Sequence, residues 1–260
     1  MRGGRLRAIR KELLGLTLEP AATMVGWHGS KLSRTENGQR PVSIEDFAML
    51  VTAWGLPAKE RDKILAELAE TTSSGWWDRP IPGVPAEVGT LASYEADAVE
   101  LVNVATSALP GLLQTFEYGI AVMRAVGAPA EDVERMWMAR VQRQRVLTRV
   151  DNTAYVTESA LRKPYGGLAA HQEQLQHLLR GMEIGNVVRV VPDAQTDVAL
   201  LATWMWMRFP HTPPVVHVEL PSGAVFVHEA ESYTKIIAQL DRVSLPKAGS
   251  RTLIAALLKG

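Results

Sequence analysis

The segment from Leu18 to Asn37 constrains this chain most, because two short runs of helical periodicity are separated there by only three residues, Trp27-His28-Gly29. Leu18, Ala21, Ala22 and Val25 share one helix face, with Thr17 placed to cap the start and Gly26 to end it. Ser30 to Asn37 reads as a second helix, closed by Gly38. Leu6, Ile9 and Leu13 predict a helix before them. Ile44, Phe47, Val51 and Trp54, then Ile64, Leu65 and Leu68, predict two more, so five helices fit before residue 72. The second helix of the pair carries Ser30, Lys31, Ser33, Arg34 and Asn37 around a single apolar anchor, Leu32. Small polar and basic side chains facing out, with one leucine facing in, are what an element entering a DNA major groove requires. His28 and Arg40 flank that face and complete the candidate DNA-contacting set.

Charge supports the same end of the chain. The net charge of all 260 residues is zero, yet residues 1–40 hold eight Lys/Arg against Glu12, Glu19 and Glu36, which leaves +5 there and −5 over residues 41–260. A small phosphate-facing module on an acidic companion gives this asymmetry, as does a solvated helical surface. The length allows two cores, and 47% hydrophobic with 22% charged residues is an ordinary globular composition. No apolar run is long enough to cross a bilayer and no signal peptide is legible, so a cytoplasmic protein without membrane contact is expected. Without cysteine, thiolate chemistry is excluded and only His and carboxylates remain as metal ligands. No cofactor and no metal are expected.

The run GWHGSKLSRTENGQRPVSIEDFAMLVTAWGL resembles the XRE-type helix-turn-helix regulators, with Ser30, Lys31, Ser33, Arg34, Glu36, Asn37 and Gly38 in register. The resemblance implies a DNA-binding regulator, a homodimer on two half-sites. Two positions depart from it. The glutamines that the family places at the starts of its second and third helices, one on phosphate and one on a base edge, are Leu18 and Gly29 here. Glycine has no amide to bond adenine N6 and N7. Thr35 stands where the family has an apolar core residue, and Pro20 falls within a first helical turn, where it is tolerated.

Residues 73–90, rich in Ser, Gly and Pro, read as a linker, and residues 91–260 as a second domain. Its texture is helical over Leu91–Val104, Gly119–Val126 and Glu131–Arg149. After Asp151 it alternates strands (Ala154–Thr157, Val187–Val191, Trp204–Phe209, Val215–Leu220, Ala224–His228) with helices (Leu168–Met182, Ser232–Val243, Lys247–Leu258). The fold class is therefore α+β overall: an all-α helix-turn-helix domain, then a mixed α/β domain with a small sheet. Trp204-Met205-Trp206-Met207 is apolar on both faces and predicts a strand buried on both sides.

Ala108-Leu109-Pro110-Gly111-Leu112-Leu113-Gln114-Thr115, Arg140 with Arg143-Gln144, Glu158 to Arg162 followed by Gly166-Gly167, and Gln174-Leu175 occur in the order found in actinobacterial antitoxin-like XRE regulators. That resemblance implies a C-terminal domain that binds a small partner protein or an effector, and a link with secondary metabolism. Physically, Arg140 and Gln144 share a helix face, and Glu158 is a carboxylate suited to such a pair, either as a structural ion pair or in a ligand site with Gln114 and Arg162. Trp204 and Trp206 are either core or the wall of a pocket for a hydrophobic metabolite. His217, Glu219 and His228 could cluster on neighbouring strands as acid, base or metal-binding groups. No nucleophile elbow, phosphate loop, dinucleotide fingerprint or zinc-protease motif is present, so catalytic residues stay unassigned. The alternative to regulation is a vestigial helix-turn-helix on a cofactor-independent enzyme, such as a cyclase, working on a hydrophobic metabolite.

Overall fold

The computed structural model describes residues 2–37, 40, 42–70, 75–78, 81–220 and 223–259. They divide into two units, one of residues 1–80, 86–97 and 210–213, the other of 81–85, 98–209 and 214–260.

The first unit begins with α1 (Arg2–Ala8), which widens into a π turn over Ile9–Leu13. The Leu14 amide bonds Ile9 C=O at 3.0 Å, five residues back, so each side chain beyond is rotated relative to an α-helix. That rotation corrects the expected face. Leu13 turns out to solvent, 53% exposed, while Arg10 goes inside and Leu14 packs on the core. Then come α2 (Leu18–Thr23), α3 (Gly29–Glu36), α4 (Ile44–Ala53), α5 (Ala58–Glu70) and α6 (Ala86–Asp97). Thr17 occupies the N-cap of α2 in extended backbone, but its hydroxyl makes no capping bond, whereas Ser43 Oγ accepts from Asp46 N–H at 3.0 Å at the head of α4. Gly38, expected to close α3, lies outside the described residues. Leu6, Ala21, Leu32, Phe47, Leu50 and Val51 form the centre of the core, each fully buried. Leu32 alone contributes about 1.5–3 kcal/mol by that burial. The Trp54 indole donates to Ala21 C=O at 2.9 Å, tying α4 to α2.

In the stretch expected to be a linker, Trp76–Asp78 make a 3-10 turn and α6 starts at Ala86. The helix predicted over Leu91–Val104 ends at Asp97, and β1 (Glu100–Ala105) follows. β1 lies mid-sheet with both faces buried, so its near-continuous apolar run carries no alternation to distinguish it from a helix.

The second unit continues with α7 (Phe116–Ala125), α8 (Val133–Gln144), β2 (Asp151–Thr157), α9 (Glu158–Arg162), α10 (Leu168–Glu183), β3 (Val187–Val191), β4 (Trp204–Arg208), β5 (Val215–Leu220), β6 (Gly223–Val227), α11 (Glu231–Val243) and α12 (Lys247–Leu257). The helix predicted to reach Arg149 leaves α geometry at Gln144, tightening into a 3-10 turn over Arg145–Thr148. The six strands run in the order β3-β2-β1-β4-β5-β6, the first three parallel and the rest antiparallel. Ala105, Ala154, Val156, Val188 and Val190 face Leu175 and Leu178 of α10 and Ile254 of α12. Val102, Val104, Tyr155, Trp204, Trp206 and Val216 form the other face, against Leu240 of α11. The chain is thus α+β, helical first and mixed afterwards. Among the described residues, no helix is long and apolar enough to cross a membrane.

Candidate nucleic-acid interface

The buried side of α3 is fixed first. Leu32, Thr35 and Glu36 point inward, and the Thr35 hydroxyl, standing where an apolar side chain is usual, is satisfied by Lys31 C=O at 2.9 Å. Gly3 of α1 lies so close that a Cβ there would come 2.0 Å from Thr35 C=O, so the α1–α3 contact is backbone to backbone. Beneath the helix, Arg10 Nε and Nη2 donate to Glu36 Oε1 and Oε2 at 2.6 and 2.7 Å, and Nη1 donates to Leu16 C=O at 2.6 Å. Arg10 belongs to the basic excess of residues 1–40, yet it is a buried fork.

With one side anchored, Ser30 and Arg34 project into solvent and Ser33, Lys31 and Asn37 are half-buried around them. Arg34 Nε reaches Ser30 C=O at 3.3 Å, and Asn37 Nδ2 reaches Ser33 Oγ at 3.4 Å, so the polar face is partly tethered to its own helix. Trp27, in the turn between α2 and α3, was not among the expected site residues. Its ring carries the Lys31 ammonium at 3.7 Å from the centroid and the Arg40 guanidinium at 5.5 Å. The i, i+4 spacing of Trp27 and Lys31 was the available signal. His28 is exposed at the N-cap of α3. All seven residues are exposed or half-buried, and Trp27 holds two of their cations in place.

At the head of α3, Glu19 Oε2 accepts the Gly29 N–H at 3.2 Å. A Cβ on Gly29 would lie 2.1 Å from Glu19 Oε1, so this carboxylate fills the space a side chain at position 29 would take.

The polar residues of the second unit separate into three places. Gln114 Nε2 donates to Leu109 C=O at 2.6 Å, its Oε1 accepts from Arg140 Nη1, and its own C=O accepts from Gln144 Nε2 at 2.8 Å. Gln174, fully buried on α10, accepts from Thr115 N–H at 2.7 Å and donates to Leu113 C=O at 2.8 Å. The loop 109–115 is thus locked by amide and guanidinium groups from α8 and α10. Glu158 does not join them. It pairs with Arg162 one turn on, at 2.5 Å on the exposed side of α9. Gly166 and Gly167 adopt φ of 80° and 89°, which explains two glycines leading into α10.

Trp204 and Trp206 lie in the core against α11, with Tyr233 edge-on to Trp204 at 5.2 Å. His217 points to the opposite face, since residues of one strand alternate, and its ring meets Phe226 at 5.2 Å. Glu219 on the same strand is exposed, and among the described residues no group of three His, Asp or Glu could hold a metal ion.

Burial, then the charge of Arg143, pushes the His217 pKa down to about 3, so the folded imidazole is neutral. Unfolded, it takes a proton near 6.5. Between those values the unfolded chain binds more protons, and stability falls as the pH falls. Lowering the pH from 7 to 5 is expected to cost on the order of 2 kcal/mol through this one group, read as a lower urea midpoint. His171 and His177 are shifted in the same direction by burial, so the His217 share is the part of the slope that His217→Gln removes.

Family comparison agrees with this division of labour. Residues 3–64 match the model of a helix-turn-helix domain, and residues 88–256 match that of a domain of unknown function (DUF5753). Neither a curated protein nor a solved structure matches the chain. The second match spans well over half of the sequence, and the chain accordingly belongs to the DUF5753 family, with a helix-turn-helix domain at its N-terminal end.

Proposed function

We propose that this chain is a DNA-binding transcriptional regulator, with residues 1–72 reading the operator through the exposed side of α3 and residues 91–260 tuning that affinity on binding a small molecule or a small partner protein. It works as a homodimer, with one α3 in each of two major-groove half-sites about one helical turn apart. The observation that carries this reading is the outward surface of Ser30, Ser33, Arg34 and Asn37, flanked by Lys31 and Arg40 stacked about Trp27, on a helix whose other side is anchored in the core. Cations held beside a polar helix face suit phosphates beside base edges.

The test is binding of the purified protein to DNA upstream of its own gene across a salt series. Site-specific binding that weakens with salt is expected. Arg34→Ala should lose about 5- to 150-fold on the specific site and much less on a scrambled duplex, as a base contact does. Lys31→Ala should weaken both alike and flatten the salt slope by about one unit, as a phosphate contact does. Equal affinity for operator and scrambled duplex at every salt concentration would overturn the proposal.

A further inference from the structure

We infer that Glu19 is a specificity-determining residue which selects a cytosine in each half-site; this rests on the DNA-binding reading above. The first turn of a recognition helix is the part nearest the base edges. Here that turn has no side chain of its own at position 29, and the carboxylate of Glu19 stands in the vacated space, 2.1 Å from where a Gly29 Cβ would be. Its direction is set by the Gly29 N–H, which bonds Oε2 at 3.2 Å. Oε1 has no hydrogen-bond partner among the described residues, and Glu19 is exposed.

An ionised carboxylate only accepts hydrogen bonds. In the major groove it is matched by the N4 amine of cytosine and opposed by O6 and N7 of guanine and O4 of thymine; adenine offers an amine but places the N7 acceptor beside it. The acid also disfavours an approach in which a phosphate reaches the head of α3, while Lys31 and Arg40 supply the attraction to the backbone from the flank. Glu19 thereby trades affinity for a base choice that Gly29 cannot make.

The experiment is selection of duplexes from a random pool by the full chain and by its Glu19→Gln and Glu19→Ala variants, followed by titration of single-base changes in the selected site. Glu19→Gln retains an oxygen to accept the Gly29 N–H, so α3 keeps its cap. The wild-type site should contain a cytosine whose change to thymine costs about 5- to 150-fold. Glu19→Gln should move that one preference to adenine, whose N6 and N7 suit an amide, and Glu19→Ala should level it, with every other position unchanged. The same base preferences in all three proteins would overturn the inference and leave Glu19 a helix cap. A wild-type protein that enriches no site fails before any variant is compared, and overturns the DNA-binding reading together with this one.

Discussion

Arg10→Ala or Glu36→Ala alone is expected to destabilise the first unit by about 3–5 kcal/mol, read as a lower denaturant midpoint of its transition. Side chains of the pair are 8% and 3% exposed, and the two guanidinium–carboxylate bonds are 2.6 and 2.7 Å, a bidentate fork with little water to replace a lost partner. The third bond, from Arg10 to Leu16 C=O, also satisfies the chain where it leaves the π turn. The pair links that turn to the last residue of α3, so its loss loosens the base on which the recognition surface stands. Replacing both residues by Met and Leu should cost far less than either alanine, because no uncompensated charge is left behind. If the single variants were as mild as the double one, the fork would be an ornament rather than a support.

Much of the molecule was legible from side-chain periodicity, and the places where it was not have specific physical causes. The helices α2, α4 and α5 followed from apolar residues at helical spacing, since a solvent-facing helix must show a polar side, and α3 from its polar run around Leu32. Leu13 was misplaced because a π turn inserts one residue into the period, and nothing in Ile9–Leu13 announces it. β1 was read as helix because a strand buried on both faces loses its alternation. At the interface, the outward residues of α3 could be named from type and spacing. Glu19 could not, because its importance comes from a contact ten residues away with a glycine whose missing side chain gives it room. Arg10 is the opposite case: it entered the charge count of residues 1–40 as a basic residue, and only its partner Glu36, twenty-six positions on, shows that it is internal. Removing both leaves the net charge of residues 1–40 at +5; Arg5 is buried as well, so the surface carries less than that, but its excess stays positive and the electrostatic argument survives the correction.

Gln174→Leu should be the most damaging polar substitution in the second unit, costing about 2–4 kcal/mol by denaturation of the full chain. Leucine nearly matches the volume of glutamine, so little of the loss comes from a cavity. It comes from two main-chain groups, Thr115 N–H and Leu113 C=O, which keep their burial and lose their partner. The same loop is held from its other side by Gln114, Arg140 and Gln144. Groups that lock one loop from two helices do not act independently, and the double variant Gln114→Leu/Gln174→Leu should cost less than the sum of the singles by about 0.5 kcal/mol or more. Additive losses would mean that α8 and α10 hold separate pieces of chain. Coupled losses would make the amide-rich motifs around residues 110, 140 and 174 one structural device, a rigid corner linking two helices. In the regulation proposed above, an effector that displaced any one of these amides would then be felt at both helices, and occupancy would be converted into a shift of structure.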